Sequence, residues 1–268
     1  MTNYNGYSQF PQYQQASETP YAQPQYEVAR RMSVPPRDVS FAIGQGFDGV
    51  FKEWLVWGVA GFVYYFLLQF VAIASVLLTA GVGPMITAPF LENFDFWDGL
   101  YDWPFSAAVW LTILAPLVVL WLTALWGRAN YHVGARKAVD GEKVNIGDVF
   151  GFRGRGGIML VLACVDVLVF GGLVLFVVPG LVAAVLLWAA PHIKADNPDK
   201  GLVECLRLSA KTSPRHAGRT TLLVVLTGIA GLVFLFIPIL GMYGFAVVCL
   251  AQALFARALL ERPAVRWS

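Results

Sequence analysis

The positively charged residues of this chain lie in segments that alternate with long apolar runs. All 19 Lys and Arg residues fall outside the connection 82–104, which carries four acidic residues instead. The cationic segments are residues 1–53, 127–157, 191–219, the end of the last apolar stretch and the C-terminal tail. Lys and Arg resist translocation across a membrane. The asymmetry therefore predicts a membrane protein that keeps its cations, and both of its termini, in the cytoplasm.

The apolar residues form blocks that are long enough to cross a bilayer. Hydrophobic residues make up 57% of the chain and charged residues only 13%, against about 25% charged in a soluble domain. A hydrocarbon core about 30 Å thick requires roughly 20 apolar residues in a helix. The sequence therefore predicts an all-α membrane protein with six transmembrane helices, arranged as three hairpins: 54–80, 105–126, 157–173, 175–193, 219–237 and 239–259.

The last two hairpins carry a similar motif. Gly172-Leu-Val is followed after four residues by Pro179, and Gly231-Leu-Val is followed after four residues by Pro238, an offset of 59 residues in both cases. The motif predicts a break at the outer membrane face in each hairpin, because Pro cannot continue a helix that precedes it. Glycines three residues apart within the spans would let helices approach closely. These pairs are Gly58/Gly61, Gly228/Gly231 and Gly241/Gly244.

The first 36 residues differ in composition from the rest of the chain. They are rich in Tyr, Gln, Asn and Pro and have no apolar periodicity. Such a segment cannot bury enough apolar surface to offset its conformational entropy. We therefore expect a disordered cytoplasmic tail over residues 1–36 and a helical transmembrane domain over residues 37–268.

Two short amphipathic helices are expected to lie on the cytoplasmic face of the membrane. The first covers residues 38–52, with Asp48 and Lys52 facing water. Its membrane-facing side chains would be Phe41, Phe47, Val50 and Phe51. The second covers residues 196–213 and begins with Asp-Asn-Pro, a typical helix start. Its narrow apolar stripe consists of Leu202, Leu206 and Ala210.

Asp166 is the one acidic residue inside an apolar run. A carboxylate at the centre of a membrane costs about 2.5–3.5 kcal/mol on insertion scales, which makes it a candidate functional group. It could carry protons, bind a cation or pair with Arg257 of the last span. We favour a structural role, in which a protonated or paired carboxyl holds helices together. Gln69 and Gln252 are the other intramembrane polar candidates, and both are expected to form hydrogen bonds between helices.

The segment 90–105 combines acidic and aromatic residues on two faces of a helix, which is typical of an interfacial amphipathic helix. A docking surface or a weak calcium site is the alternative, although the spacing does not match an EF-hand loop. The residues of this external acidic-aromatic helix are Glu92, Asp95, Trp97, Asp98, Tyr101 and Asp102.

Basic residues cluster where the head groups of anionic lipids would lie. Each could contribute about 1 kcal/mol of attraction to an acidic leaflet. Fixing the topology of the chain explains them equally well, and a specific site for a lipid phosphate is the less favoured alternative. The candidate head-group contacts are Arg128, His132, Arg136, Arg153, Arg155, Arg215 and Arg219.

Motifs of common catalytic and cofactor sites are missing from the sequence. It contains no P-loop, no HExxH, no GxSxG and no GxGxxG after a strand. The three cysteines have neither CxxC nor Cys/His ligand spacing, so neither a disulfide nor zinc is expected. No basic and aromatic face suggests a nucleic-acid partner. We therefore expect no enzymatic activity, no catalytic residue, no metal and no cofactor.

Two stretches resemble a known group of proteins. They are Ala135–Phe150, which precedes a hairpin with Pro at its tip, and Ala195–Ser209, which precedes the last hairpin. Both resemble a broad group of bacterial six-span proteins of unknown function, related to the membrane domain attached to some glycerophosphodiester phosphodiesterases. The Tyr/Gln/Pro-rich start is similar to that of actinobacterial members. The resemblance covers about 40–268 and implies a helical domain in the bacterial cytoplasmic membrane. It carries over neither the phosphodiesterase activity nor any functional residue.

These features favour a non-enzymatic accessory or scaffold protein. Such a protein would associate with a larger membrane complex or organise lipids, and its partners would be anionic lipid head groups and a protein of the membrane or envelope. The alternative function is a small-molecule or lipid transporter that uses Asp166. An enzyme that acts on phospholipid head groups is the least favoured class.

Overall fold

The computed structural model of the chain describes residues 30–32, 34–91 and 103–267. For 30–32, 82–91, 103–113, 232, 234–236 and 238–240 it describes the backbone alone. Residues 1–29 of the expected tail, and all six residues named for the external acidic-aromatic helix, lie outside this part of the chain.

The described residues are mostly helical, and two short strands lie near the ends of the chain. The first strand, β1, is Arg30–Met32 and the second, β2, is Ala264–Arg266. A short 3-10 helix covers Ser213–His216. The α-helices are α1 Val39–Lys52, α2 Trp54–Leu91, α3 Trp103–Asp140, α4 Ile146–Val149, α5 Gly156–Leu175, α6 Val177–Leu187, α7 Ala190–Asp196, α8 Leu202–Thr212, α9 Ala217–Phe236 and α10 Pro238–Leu259.

Four helical segments of the described chain are long and apolar enough to cross a membrane. They are Trp54–Gly81, Gly156–Leu175, Val177–Asp196 and Gly241–Leu259. The two other predicted spans, 105–126 and 219–237, also fall on helices, α3 and α9. Each includes residues for which the backbone alone is described. The structure therefore has four candidate spans by length and composition, not clearly the six that the sequence predicts.

The two apolar regions with the similar motif both break at a single extended residue. Phe176 separates α5 from α6 and Ile237 separates α9 from α10. Pro238 is the first residue of α10, where its missing N–H costs no hydrogen bond, whereas Pro179 is the third residue of α6. The break residues are thus 61 positions apart, although the sequence motif repeats after 59.

The predicted span 175–193 is not one continuous helix, because the chain bends between α6 and α7. Pro191 has no N–H to donate to the carbonyl of Leu187, and a proline ring clashes with that carbonyl in a straight helix. One residue before Leu187, the backbone carbonyl of Leu186 accepts hydrogen bonds from the hydroxyls of Ser209 (2.7 Å) and Ser213 (3.3 Å). The bend is therefore supported from α8 and from the 3-10 helix that follows it.

The core of the protein surrounds α10, which contacts α1, α2, α3 and α9 along its length. Trp57, Leu250, Leu254 and Phe255 are among its fully buried side chains. Close packing against α10 depends on glycine: a Cβ added at Gly61 of α2 would lie 1.9 Å from the carbonyl oxygen of Met242. The first predicted glycine pair therefore lies at a close contact.

The two amphipathic helices pack differently from the prediction. Val50 of α1 is fully buried against the protein, whereas Phe47 and Phe51 are exposed and stacked on each other. The membrane-facing role assigned to Val50 is therefore wrong. In α8, the buried side chains are Cys205, Ser209 and Thr212. Its predicted membrane stripe is only half-buried, and Leu202 and Leu206 pack against the protein core.

The two ends of the chain are joined by the strands. β1 pairs with β2 in antiparallel register, with Arg30 opposite Arg266 and Met32 opposite Ala264. Next to the strands, Arg37 forms an ion pair of 2.6 Å with Glu261. The strand β1 therefore lies within the segment 1–36 for which a disordered tail was predicted.

Candidate functional site

The buried polar side chains of the described residues concentrate around the second half of α3, close to the chain termini. The helix α3 contacts α2, α4, α5, α7, α10 and β2. Three groups of polar residues occupy its faces and link it to these neighbours and, through α10, to α9.

The first group is an ion-pair cluster around Arg257, in the last turn of α10. Its guanidinium contacts Asp140 of α3 at 2.6 Å and Asp196 of α7 at 2.8 Å. Arg136 and Arg262 lie 3.7 Å from Asp140 and Asp196, respectively. The Arg257 side chain is 9% exposed and that of Asp196 is 8% exposed. The cluster fixes the ends of three helices, because separating them would leave buried charges without partners.

Asp166 pairs with a different arginine from the one proposed. It accepts from Arg128 Nη1 at 2.7 and 2.9 Å, and from the indole N–H of Trp121 at 3.2 Å. Arg257 pairs instead with Asp140 and Asp196, at the ends of α3 and α7. The proposed Asp166–Arg257 pair is thus wrong, and Asp166 instead links α5 to α3.

The second group is a chain of hydrogen bonds that crosses four helices. His132 Nδ1 of α3 lies 3.4 Å from His192 Nδ1 of α7. His192 Nε2 lies 3.3 Å from the side-chain oxygen, Oε1, of Gln252 in α10. The Gln252 amide donates to the Thr227 hydroxyl of α9 at 3.1 Å, and this hydroxyl donates to the backbone at Leu223. Since His192 donates through Nε2, a neutral His192 accepts at Nδ1 from His132.

The histidine pair borders a cavity of about 10 Å³, whose walls also include Arg136 and Asp196. This volume is close to the minimum that holds one water molecule. Burial lowers the pKa of His132 well below its ordinary value, and the neighbouring His192 and Arg128 lower it further. His132 is therefore neutral near pH 7. Because of its small volume, the cavity cannot hold a substrate.

The third group lies on the opposite face of α3. Arg155, just before α5, donates to the side-chain oxygen of Asn130 at 2.8 Å and to the backbone oxygen of Asp148 at 2.6 Å. The Asn130 amide donates to the Tyr64 hydroxyl at 2.9 Å, and Tyr64 donates to the carbonyl of Val149. This network joins α2, α3 and α4, so Arg155 serves internal packing.

The other predicted site residues take several positions. Four members of the predicted head-group set, Arg128, His132, Arg136 and Arg155, make the internal contacts described above. The other three, Arg153, Arg215 and Arg219, are exposed. Gln252 forms the expected hydrogen bonds between helices. Gln69 is exposed on α2 and forms no such bond within the described residues. His192 was missed, because a single histidine near the end of an apolar run gives no signal until His132 is placed beside it.

A groove of about 390 Å³ separates the start of α1 from the first turns of α9. Polar residues lie at one end and apolar side chains form the walls. The lining consists of Asp38, Val39, Ser40, Ile43, Arg219, Leu222 and Leu226. Arg219 also donates to the backbone oxygen of Arg37 at 2.8 Å. We call this surface the α1–α9 groove.

Metal ligation has no visible basis in the described part of the chain. No three His, Cys, Asp or Glu side chains are grouped there as a metal ion requires, and Cys164, Cys205 and Cys249 are all free thiols.

Taken together, fold and site define a helical protein with four candidate membrane spans and a polar, ion-paired layer at the ends of α3, α7 and α10. Comparison of the chain with protein-family models, with curated proteins and with solved structures found no match.

Proposed function

We propose that the chain is a non-enzymatic scaffold or accessory protein that crosses the bacterial cytoplasmic membrane six times, as three hairpins with both termini in the cytoplasm. It would belong to the bacterial six-span group that it resembles. The pairing of β1 with β2 supports an even number of crossings, because it holds the two ends of the chain on one side. The contact between α2 and α3 supports a return through α3 after α2 has crossed.

The observation that carries the scaffold function is the use of polar groups for internal support. Arg257, Asp140 and Asp196 join α3, α7 and α10, and the chain from His132 to Thr227 ties α9 to the same layer. A layer joined in this way suits a rigid platform on which another protein or lipids are organised. Exposed cations of α8 and α9 and the exposed pair Phe47 and Phe51 offer contact surfaces for lipid head groups and for a protein partner.

Transport through Asp166, the alternative function, receives less support. The carboxylate of Asp166 is paired with Arg128, and Asp166 lines neither the histidine cavity nor the α1–α9 groove. A single paired acid also makes a poor proton relay, because a relay needs a second group to receive the proton.

Topology is tested by cysteine labelling in intact cells. The three native cysteines are replaced by Ala, and a single Cys is introduced at Lys143 or at Trp97. We expect a membrane-impermeant maleimide to label position 97 in intact cells and position 143 only after the membrane is opened. Labelling of position 143 from outside would overturn the proposed orientation.

The scaffold function is tested by purifying the tagged, full-length protein from its membrane in mild detergent after cross-linking. We expect one partner in a fixed ratio to the chain, and we expect a variant without residues 2–28 to reduce its recovery. A six-span protein of unrelated sequence, with the same tag, is the control. A chain that is always recovered alone, in a strain whose membrane complexes are unchanged by deletion, would contradict the proposal.

A further inference from the structure

We propose that the α1–α9 groove binds one phospholipid of the cytoplasmic leaflet whose head group carries both a phosphate and a primary ammonium, as an ethanolamine phospholipid does. The phosphate would contact Arg219, the ammonium would contact Asp38, and one acyl chain would lie along Leu222 and Leu226. This inference rests on the proposed position of the protein in the membrane, but not on its having a protein partner.

The order of side chains along the groove matches the order of groups in a lipid. Arg219, Leu222 and Leu226 are three and four residues apart, so they share one face of α9. Arg219 is nearest the cytoplasmic start of the helix, and the two leucines follow toward the membrane interior. Val39 and Ile43 form the facing wall and share one face of α1 in the same way. The groove therefore changes from charged to apolar along its length, as a phospholipid does from its head group to its acyl chains.

The mouth of the groove presents a cation and an anion that form no direct ion pair with each other. Arg219 and Asp38 both line it, and their charges interact across it. Arg219 uses Nη1 to bond the Arg37 carbonyl, and a guanidinium has five N–H donors in all, so others can reach a phosphate. Arg also suits phosphate because its donors form a planar fork.

Asp38 is held in its charged form. Its Oδ1 accepts from the backbone N–H of Ser40 at 2.8 Å and from the Ser40 hydroxyl at 2.9 Å. These hydrogen bonds lower the pKa of Asp38, and the charge of Arg219 contributes to the same direction. A head group whose only charged group is a phosphate would be repelled by this carboxylate. A head group that also carries an ammonium would donate a hydrogen bond to the carboxylate.

The size of the groove fits the head group and the first part of one acyl chain of a lipid. Its volume of about 390 Å³ lies within the roughly 300–1,000 Å³ that is usual for small-molecule sites. Leu222 is 51% exposed and Leu226 is 40% exposed, so an acyl chain would cover side chains that the protein leaves open.

The proposal is tested by native mass spectrometry of the full-length protein in mild detergent. Three phospholipids with the same acyl chains are titrated: an ethanolamine, a choline and a glycerol phospholipid. We expect the ethanolamine lipid to bind about tenfold more tightly than the other two, the effect of one charge-assisted hydrogen bond. Preferred binding of the anionic glycerol lipid, or equal binding of all three, would overturn the proposal.

Three variants locate the site. Asp38→Asn retains a good N-cap for α1 and should remove the preference for ethanolamine over choline while the choline lipid binds as before. Arg219→Gln should weaken all three lipids by about tenfold. Arg266→Gln, an exposed arginine of β2 outside the groove, is the matched control and should change nothing. A preference that survives Asp38→Asn contradicts the assignment of the ammonium to Asp38.

Other occupants of the groove are distinguished in the same experiment. If removal of residues 2–28 is required before any lipid binds, the groove belongs to the chain's own tail and the proposal fails. If lipid binding accompanies dimer formation and both are lost in Leu226→Trp, a second copy is the occupant. Because these measurements need no partner protein, they can fail or succeed independently of the scaffold function.

Discussion

The two halves of α3 lie in opposite environments. Between residues 114 and 124 most side chains are exposed or half-exposed, and they include Leu117, Val118 and Leu122. Between residues 129 and 140 most are buried, and this half carries His132, Arg136 and Asp140. The apolar half is therefore the more exposed, and the charged half is enclosed by other helices. This is the distribution expected when lipid covers one half of the helix and protein covers the other.

The charged half should be the more sensitive to substitution, and the largest effect is expected for Arg257→Leu. The change leaves the carboxylates of Asp196 and Asp140 without their closest partner. Removing one partner of a buried ion pair costs about 3–5 kcal/mol. Arg207→Leu, an exposed arginine on α8, is the matched control and should stay within about 0.5 kcal/mol. Unfolding in a detergent titration measures both. If the Arg257→Leu and Arg207→Leu variants were equally stable, the ion pairs at the charged half of α3 would not contribute to stability as proposed.

Gly61→Ala tests a close contact that lies outside α3, between α2 and α10. A Cβ at Gly61 would lie 1.9 Å from the backbone oxygen of Met242, so α2 and α10 must separate. Such overpacking costs about 1–3 kcal/mol. The same change at Gly231, around which a Cβ would meet open space, should be neutral or slightly stabilising. Thermal unfolding in detergent distinguishes the two variants, and equal melting temperatures would contradict the close contact.

Asp166→Asn should have a smaller effect than Arg257→Leu, about 1 kcal/mol. The Arg128 side chain is 43% exposed, so it can turn toward water or a head group when its partner is lost. A double-mutant cycle with Arg128→Gln measures the pair itself and should give a coupling below about 2 kcal/mol. A stable Asp166→Asn protein that loses a transport activity would favour the alternative function.

Leu117→Ala should have the smallest effect, within about 0.5 kcal/mol of the parent protein. Leu117 is 55% exposed on the apolar half of α3, so its loss removes little contact with the protein itself. Detergent unfolding at two protein concentrations is the measurement. A larger cost that depends on concentration would indicate that this face contacts a second copy of the chain and not lipid.

Hydropathy and charge distribution predicted the helices well, because both depend on residue type along the chain. The predicted spans all fall on helices, and the hairpin breaks lie within three residues of Pro179 and Pro238. These patterns identify the positions of the helices better than they identify the number of membrane crossings. Four of the six predicted spans meet the length and composition of a membrane helix in the described chain.

The partners of the polar residues could not be predicted, because they depend on how helices distant in sequence are arranged. Asp166 was proposed to pair with Arg257, yet Arg128 is the arginine at its level along the helix axes. His132 was assigned to the membrane surface because it recurs with Arg128 and Arg136 at helical spacing. That spacing identifies a face of α3 but does not reveal that α7 covers it with His192.

The pairing of β1 with β2 has a consequence for the shape of the polypeptide as a whole. Because Arg30 lies opposite Arg266, about 5 Å separates the two strands, and the path of the chain from residue 30 to residue 266 forms a nearly closed ring. A short peptide linker could therefore connect the segment after β2 to the segment before β1. A circularly permuted variant made in this way would begin and end at a loop elsewhere in the protein.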